Sequence, residues 1–186
     1  MQEPDQESGV DLFPRPRPVG SGIRIVSPSA HEIHVSQHAP PSLSIYLAGE
    51  IHSTWRDELR SHLADHGVDA EFLGPQENHG RSDDIGELIL GEQPDDRYRD
   101  LMGASVNTLR TRVHMRMADL VVACFTEKYR QWNTASDAGA AVAAGIPLIL
   151  VRPTDFIHAL KELDAQADVT VETLEQAAQA IGYIVE

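Results

Sequence analysis

From residue 43 onward, short apolar runs alternate with stretches of helical period, and that alternation leaves few folds open. The runs lie at 43–48, 68–73, 119–125 and 147–151, with a shorter fifth carried by Val169 and Val171. The third, Asp-Leu-Val-Val-Ala-Cys-Phe, is continuously apolar after its first residue, as a strand covered on both faces must be. Between the first two runs, Trp55, Leu59, His62 and Leu63 recur at helical spacing until Gly67 stops the pattern. Further helices are expected at 82–90, 97–117, 133–144, 156–166 and 172–183. Gly145 stands in the C-cap position of the Ala-rich helix at 133–144.

Strands that alternate with helices imply a parallel sheet with both faces covered and right-handed crossovers. Five strands of this kind predict an α/β, flavodoxin-like three-layer sandwich with strand order 2-1-3-4-5. In such sheets, ligands sit beyond the carboxyl ends of the strands, where the strand order reverses. That rule selects the loops at 49–55, 126–134 and 152–158.

The domain expected at 43–186 follows a different kind of segment. Seven of the 11 prolines fall within residues 1–42, among Ser, Gly and Gln and few large apolar residues. Such a segment buries too little to offset its ordering entropy, so it is expected to be a mostly disordered tail. Residues 23–26 and 33–35 could form short edge strands there, and His31, His34 and His38 a weak metal site. The tail opens with Met-Gln-Glu-Pro-Asp-Gln-Glu, which lacks the pattern of a signal peptide. No apolar run approaches bilayer-spanning length. A cytoplasmic location is therefore expected. The formal net charge of -14 argues against general binding to nucleic acid or to an anionic membrane. It leaves room for a small ligand held by local arginines. The one cysteine, Cys124, reads as a buried thiol in the third strand, so no disulfide forms within the chain.

Familiar nucleotide and nucleophile signatures are absent: no Walker loop, no Gly-x-Gly-x-x-Gly after a strand, no Cys-x-x-Cys and no Gly-x-Ser-x-Gly elbow. What remains is a set of carboxylates, arginines and aromatics near strand ends. Gly49 ends the first strand where a backbone can approach a ligand. Glu50, His52 and Trp55 follow it, either as ligand contacts or as two surface residues and a helix-packing tryptophan. The dense polar run at 74–84 offers Asn78, Asp83 and Asp84 for the edge of a base or sugar. Alternatively, Ser82 caps a helix whose first-turn acids are Asp83 and Asp84. Arg110, in Asn107-Thr-Leu-Arg-Thr-Arg112, either holds a phosphate or pairs with a surface acid. Trp132 and Asn133 open the Ala-rich helix. Thr134 and Asp137 stand three apart, which fits a capping box. Gly139 is costly in a helix, by about 1 kcal/mol against alanine. A small residue there suits the close approach of another element or a ligand. The local dipole would keep Asp137 ionised, as nucleophilic attack on a sugar carbon requires.

Several motifs recur in order: Tyr46-Leu-Ala-Gly-Glu-Ile-His-Ser-x-Trp-Arg56, Gly74-Pro-Gln-x-Asn-His-x-Arg-Ser-Asp-Asp-Ile-Gly86, Leu90-Gly-Glu-Gln-Pro94 and Ala118-Asp-x-Val121. They continue through Lys128-Tyr-x-Gln-Trp-Asn-Thr-Ala-x-Asp-Ala-Gly139, the Arg152-Pro segment and Val169-Thr-Val-Glu-Thr173. Together they resemble the YtoQ family within the nucleoside 2-deoxyribosyltransferase superfamily. The resemblance spans 43–186. It implies an N-deoxyribosyltransferase-like domain that attacks the anomeric carbon of a nucleoside with a carboxylate, releases the base, and resolves the sugar ester with a second base or water. By that resemblance Asp137 is the nucleophile, Tyr46 its hydrogen-bond partner, and Asp119 the group meeting the departing base. Asp137 stands where the better-known enzymes carry Glu, one methylene longer, so the sugar must seat deeper or the reaction or substrate differs.

The implied chemistry is that of a retaining glycosidase, with a second acidic group protonating the leaving base. It needs no metal or redox cofactor, and none is expected. The expected partner is a nucleoside or nucleotide, with Arg110 or Arg152 available for a 5′-phosphate. The Ala-rich helix permits close packing, so a homodimer or larger assembly is expected. Two other classes stay open: a non-catalytic nucleotide-binding or regulatory module, and a metal-dependent hydrolase built on His52, His79, Asp83 and Asp84.

Overall fold

The computed structural model describes residues 43–127 and 131–186. The expectations for the tail at 1–42 lie outside these residues. Five parallel strands form one sheet in the order β2-β1-β3-β4-β5, as the alternation predicts. They are β1 (Leu43–Gly49), β2 (Ala70–Leu73), β3 (Leu120–Cys124), β4 (Leu148–Val151) and β5 (Val169–Val171). The helices are α1 (Trp55–Asp65), α2 (His79–Leu90), α3 (Asp96–Met117), α4 (Trp132–Ala144), α5 (Lys161–Asp164) and α6 (Leu174–Val185). No helix among the described residues is long and apolar enough to cross a membrane.

The two-residue period of the strands sorts the core into two layers. Ile45, Leu47, Val122, Ile149 and Val151 pack with Leu59 and Leu63 of α1 and Ile181 of α6. Tyr46, Ala48, Val121, Ala123, Leu148 and Leu150 face the other way, against Met115 of α3 and Ala138 and Ala141 of α4. Cys124 is buried at the end of β3, and burial pushes its thiol up to about 12. Register places Gly49 beside Cys124 and Cys124 beside Val151, so three strands end together. The order reverses between β1 and β3, the two strands whose loops flank the site described below.

Element ends differ from expectation where side chains found better partners. Helix α2 begins at His79, not Ser82, because Asn78 Oδ1 accepts from the Arg81 N–H. Ser82 instead takes both hydrogen bonds of the Asn107 amide on α3. The helix expected at 156–166 is broken into a 3₁₀ turn, Thr154–Phe156, and the short α5, because Leu160 leaves helical geometry (φ -113°, ψ 13°). Helix α6 starts at Leu174 behind a capping box of Thr173 and Gln176.

Helices α2 and α3 form an antiparallel hairpin whose two axes cross at paired glycines. A Cβ on Gly86 would lie 2.4 Å from the Gly103 nitrogen and 2.7 Å from the Met102 carbonyl carbon. These are backbone atoms, so the helices would have to part. Gly86→Ala is expected to destabilise the protein by about 1–3 kcal/mol in chemical denaturation, despite the better helix propensity of alanine.

Candidate functional site

Three elements converge on a cleft of ≈ 740 Å³. The loop after β1 supplies Gly49, Glu50, Ile51 and His52. The start of α4 supplies Gln131, Trp132, Asn133, Ser136 and Asp137. The α2–α3 hairpin closes the far side with His79, Ser82, Asp83, Asp100, Asn107, Thr108, Thr111 and Arg112.

Asp137 lies in the second turn of α4, five residues beyond its first residue. The capping box expected from Thr134 and Asp137 does not form. The helix starts at Trp132, its N-cap is Gln131, three residues before Thr134, and Thr134 is buried. Asp137 is therefore beyond the turn in which the helix dipole acts strongly. Its Oδ2 accepts a hydrogen bond from the Tyr46 hydroxyl at 3.1 Å. Tyr46 is fully buried in β1, and its single proton goes to the carboxylate, while Thr111 Oγ1, 3.4 Å away, can donate back to the phenol oxygen. Burial raises the pKa of Asp137, and the Tyr46 hydrogen bond offsets part of this. Burial first, then the Asp137 charge, push the Tyr46 phenol well above its ordinary value, so it remains a donor. Among the described residues, Oδ1 of Asp137 accepts no hydrogen bond.

Glu50 is buried against its own loop. Its carboxylate accepts from the His52 and Ser53 N–H groups and from the Ser53 hydroxyl. Burial acts to raise its pKa, but these hydrogen bonds outweigh it and hold the carboxyl below the ordinary range. The Glu50 side chain thus shapes the cleft floor with both oxygens already engaged. Across the cleft mouth, the His52 and His79 rings stand 5.4 Å apart, and His79 Nδ1 lies 3.2 Å from Asp83 Oδ2. Among the described residues, no three His, Cys, Asp or Glu side chains are arranged to hold a metal ion.

Of the residues singled out from sequence, Tyr46, Gly49, Glu50, His52, His79, Asp83, Trp132, Asn133 and Asp137 come together here. The others are placed elsewhere. Trp55 is in the core, where its indole lies across Gly49 and donates to the Glu50 carbonyl. Gly49 is thus required by Trp55: a Cβ there would sit 2.4 Å from the indole. Asn78 caps α2, and Asp84 pairs with Arg99. Arg110 donates to the Gly74 carbonyl. Arg152 is engaged by Asp164 at 2.8 Å, and the loop at 152–158 contributes nothing to the cleft. Asp119 sits at the opposite, amino end of the strands, where its carboxylate accepts from the Ser44 N–H. Gly139 admits no close neighbour; a Cβ there would meet nothing within 4 Å.

The hairpin wall is what sequence reading missed, although its signal was present. Asp100, Gly103, Ala104, Asn107, Thr108, Thr111 and Arg112 step by three and four along α3, a single helix face. Arg110 falls off that stripe and Arg112 on it. Arg56 was also passed over. Its guanidinium is buried and donates to the carbonyls of Glu50, Gly49 and Leu47.

The model of the family described as nucleoside 2-deoxyribosyltransferase YtoQ matches residues 46–185. A protein of Bacillus subtilis (strain 168), described as uncharacterized protein YtoQ, is 50% identical over 142 residues, covering 76% of this chain and 96% of that protein. Among solved structures, a conserved protein from Enterococcus faecalis V583 shares the fold, with a TM-score of 0.52, 20% identity, and coverage of 77% of this chain and 99% of that one. A 2-deoxyribosyltransferase from Bacillus psychrosaccharolyticus gives a TM-score of 0.49 at 20% identity, covering 73% and 90%.

The raised pKa of Asp137 means that the folded protein holds this proton more tightly than the unfolded chain. The stability this confers is full below the unfolded pKa and is lost as pH rises through the folded one. Asp137→Asn is therefore expected to melt above the wild type at pH 7, with the difference vanishing near about pH 3. Tyr46→Phe should raise the Asp137 pKa further, read by carboxyl-carbon NMR titration.

Proposed function

Since the chain belongs to the nucleoside 2-deoxyribosyltransferase YtoQ family, we propose that this cleft binds a nucleoside and that Asp137 attacks its anomeric carbon. The observation that carries the reading is the Tyr46–Asp137 hydrogen bond at the cleft wall. Tyr46 holds one carboxylate oxygen and fixes the rotamer, which leaves the other to form the sugar ester. The attack passes through an oxocarbenium-like transition state, and half-burial of the carboxylate strengthens its attraction to that positive charge.

The departing base needs a proton. Asp119, at the amino end of the central strand, is not among the residues that line the cleft, so the proton is assigned to the histidines at its mouth. His79 is oriented through Nδ1 by Asp83 Oδ2, 3.2 Å away, which leaves Nε2 as the nitrogen to donate. Water as acceptor makes the reaction a hydrolysis; a second base makes it a transfer. The described lining carries Arg112 together with Glu50, Asp83, Asp100 and Asp137. If a 5′-phosphate is bound, Arg112 lines the cleft and is available to it, whereas Arg110 and Arg152 have other partners. The shorter carboxylate also suits a second reading, a module that binds the nucleoside without cleaving it.

Asp137→Ala is expected to abolish base release, by at least about 10³-fold in kcat, with an unchanged circular dichroism spectrum. Mass spectrometry of the wild type quenched during turnover should find one deoxyribosyl adduct on the peptide carrying Asp137. Full activity in the variant sinks the assignment, and binding without any base release establishes the second reading.

A further inference from the structure

The Gln131 side chain at the cleft is half satisfied within the protein. It is 8% exposed. Its Nε2 donates to the Thr126 carbonyl and lies 3.3 Å from Thr126 Oγ1. A carbonyl only accepts, so the amide nitrogen must face Thr126 and the orientation of the side chain is decided. Oε1 has no hydrogen-bond partner among the described residues, and Gln131 lines the cleft. A buried acceptor without a donor is costly, and a ligand N–H would relieve it.

Beside it, Trp132 is 73% exposed and lines the same cleft, an open indole face for a flat ligand. Gln131 precedes Asp137 by six residues, about 9 Å along the α4 axis at the helical rise. That separation is on the scale of a nucleoside measured from its anomeric carbon to the far edge of its base.

We propose that Gln131 Oε1 accepts an N–H from the edge of the ligand's nucleobase while the base lies against Trp132, making Gln131 a specificity-determining residue. This rests on the nucleoside reading of the cleft. It names a substrate class: bases that present an amino group or ring N–H on the edge remote from the sugar. Bases alkylated at that position are excluded.

The test is calorimetric binding to the full chain with two matched pairs: deoxyadenosine against its N6,N6-dimethyl derivative, and thymidine against N3-methylthymidine. The wild type should bind the parent at least about tenfold tighter in one pair or both. Gln131→Leu, which removes the acceptor at similar size, should bring that ratio near one; Gln131→Met is the second variant should the first fail to fold. Equal affinities within both pairs overturn the assignment and leave the nucleoside reading standing. So does a preference that survives in the variants, since it would then reflect the bulk of the methyl groups. Failure of all four ligands to bind overturns the nucleoside reading and this assignment with it.

Discussion

The end of β1 is held by one buried cation. Arg56 reaches back from the first turn of α1 and donates to the carbonyls of Leu47, Gly49 and Glu50, at the end of the strand and just beyond it. Trp55 stacks beside the guanidinium, 4.5 Å from its carbon, and covers Gly49. Burial lowers the Arg56 pKa, but Arg keeps its charge, and the carbonyl dipoles with Glu77 and Glu50 compensate it. With this end fixed, the Glu50 loop can fold over it, and Tyr46 three residues upstream lies in a strand that cannot slide. The position of the phenol that meets Asp137 is thus set from outside the cleft.

The site then works by setting burial against hydrogen bonding. Glu50 and Asp137 are both withdrawn from water, yet their pKa values move in opposite directions. Glu50 collects three donors from its own loop and is held ionised. Asp137 has one, from Tyr46, and burial prevails. A carboxylate saturated with donors is a poor nucleophile and a good structural anchor; one with a single donor keeps basic lone pairs. The two acids that frame the cleft are therefore suited to different work by donor count alone.

Much of the fold was legible because it rests on periodicity. Continuous apolar runs at 119–125 and 147–151 demanded a covered parallel sheet, and the crossover rule then left the observed order. Helix ends were less legible, because several polar residues compete for each. Asn78 won the α2 cap that Ser82 was expected to hold, since Ser82 is engaged by Asn107, a partner 25 residues away. The nucleophile candidate was legible from the resemblance, not from spacing; Thr134 and Asp137 at an interval of three pointed to a cap, which burial of Thr134 precludes. Asp119 falls outside the described cleft lining for a plain geometric reason. A residue opening a strand lies at its amino end, whereas the cleft lies beyond the carboxyl ends. Arg112 and Gln131 escaped notice because their importance depends on which helix face meets the sheet and on which atoms find no partner.

Cys124 is the chain's one thiol, at the carboxyl end of the central strand, where it is buried and pushed up to about 12. Reagents attack the thiolate, so a protected sulfur at this position reacts only when β3 itself opens to solvent. The protein thus carries an internal clock. The rate at which Cys124 is labelled counts the openings of the strand that β1 and β4 both pair with, without a probe being introduced.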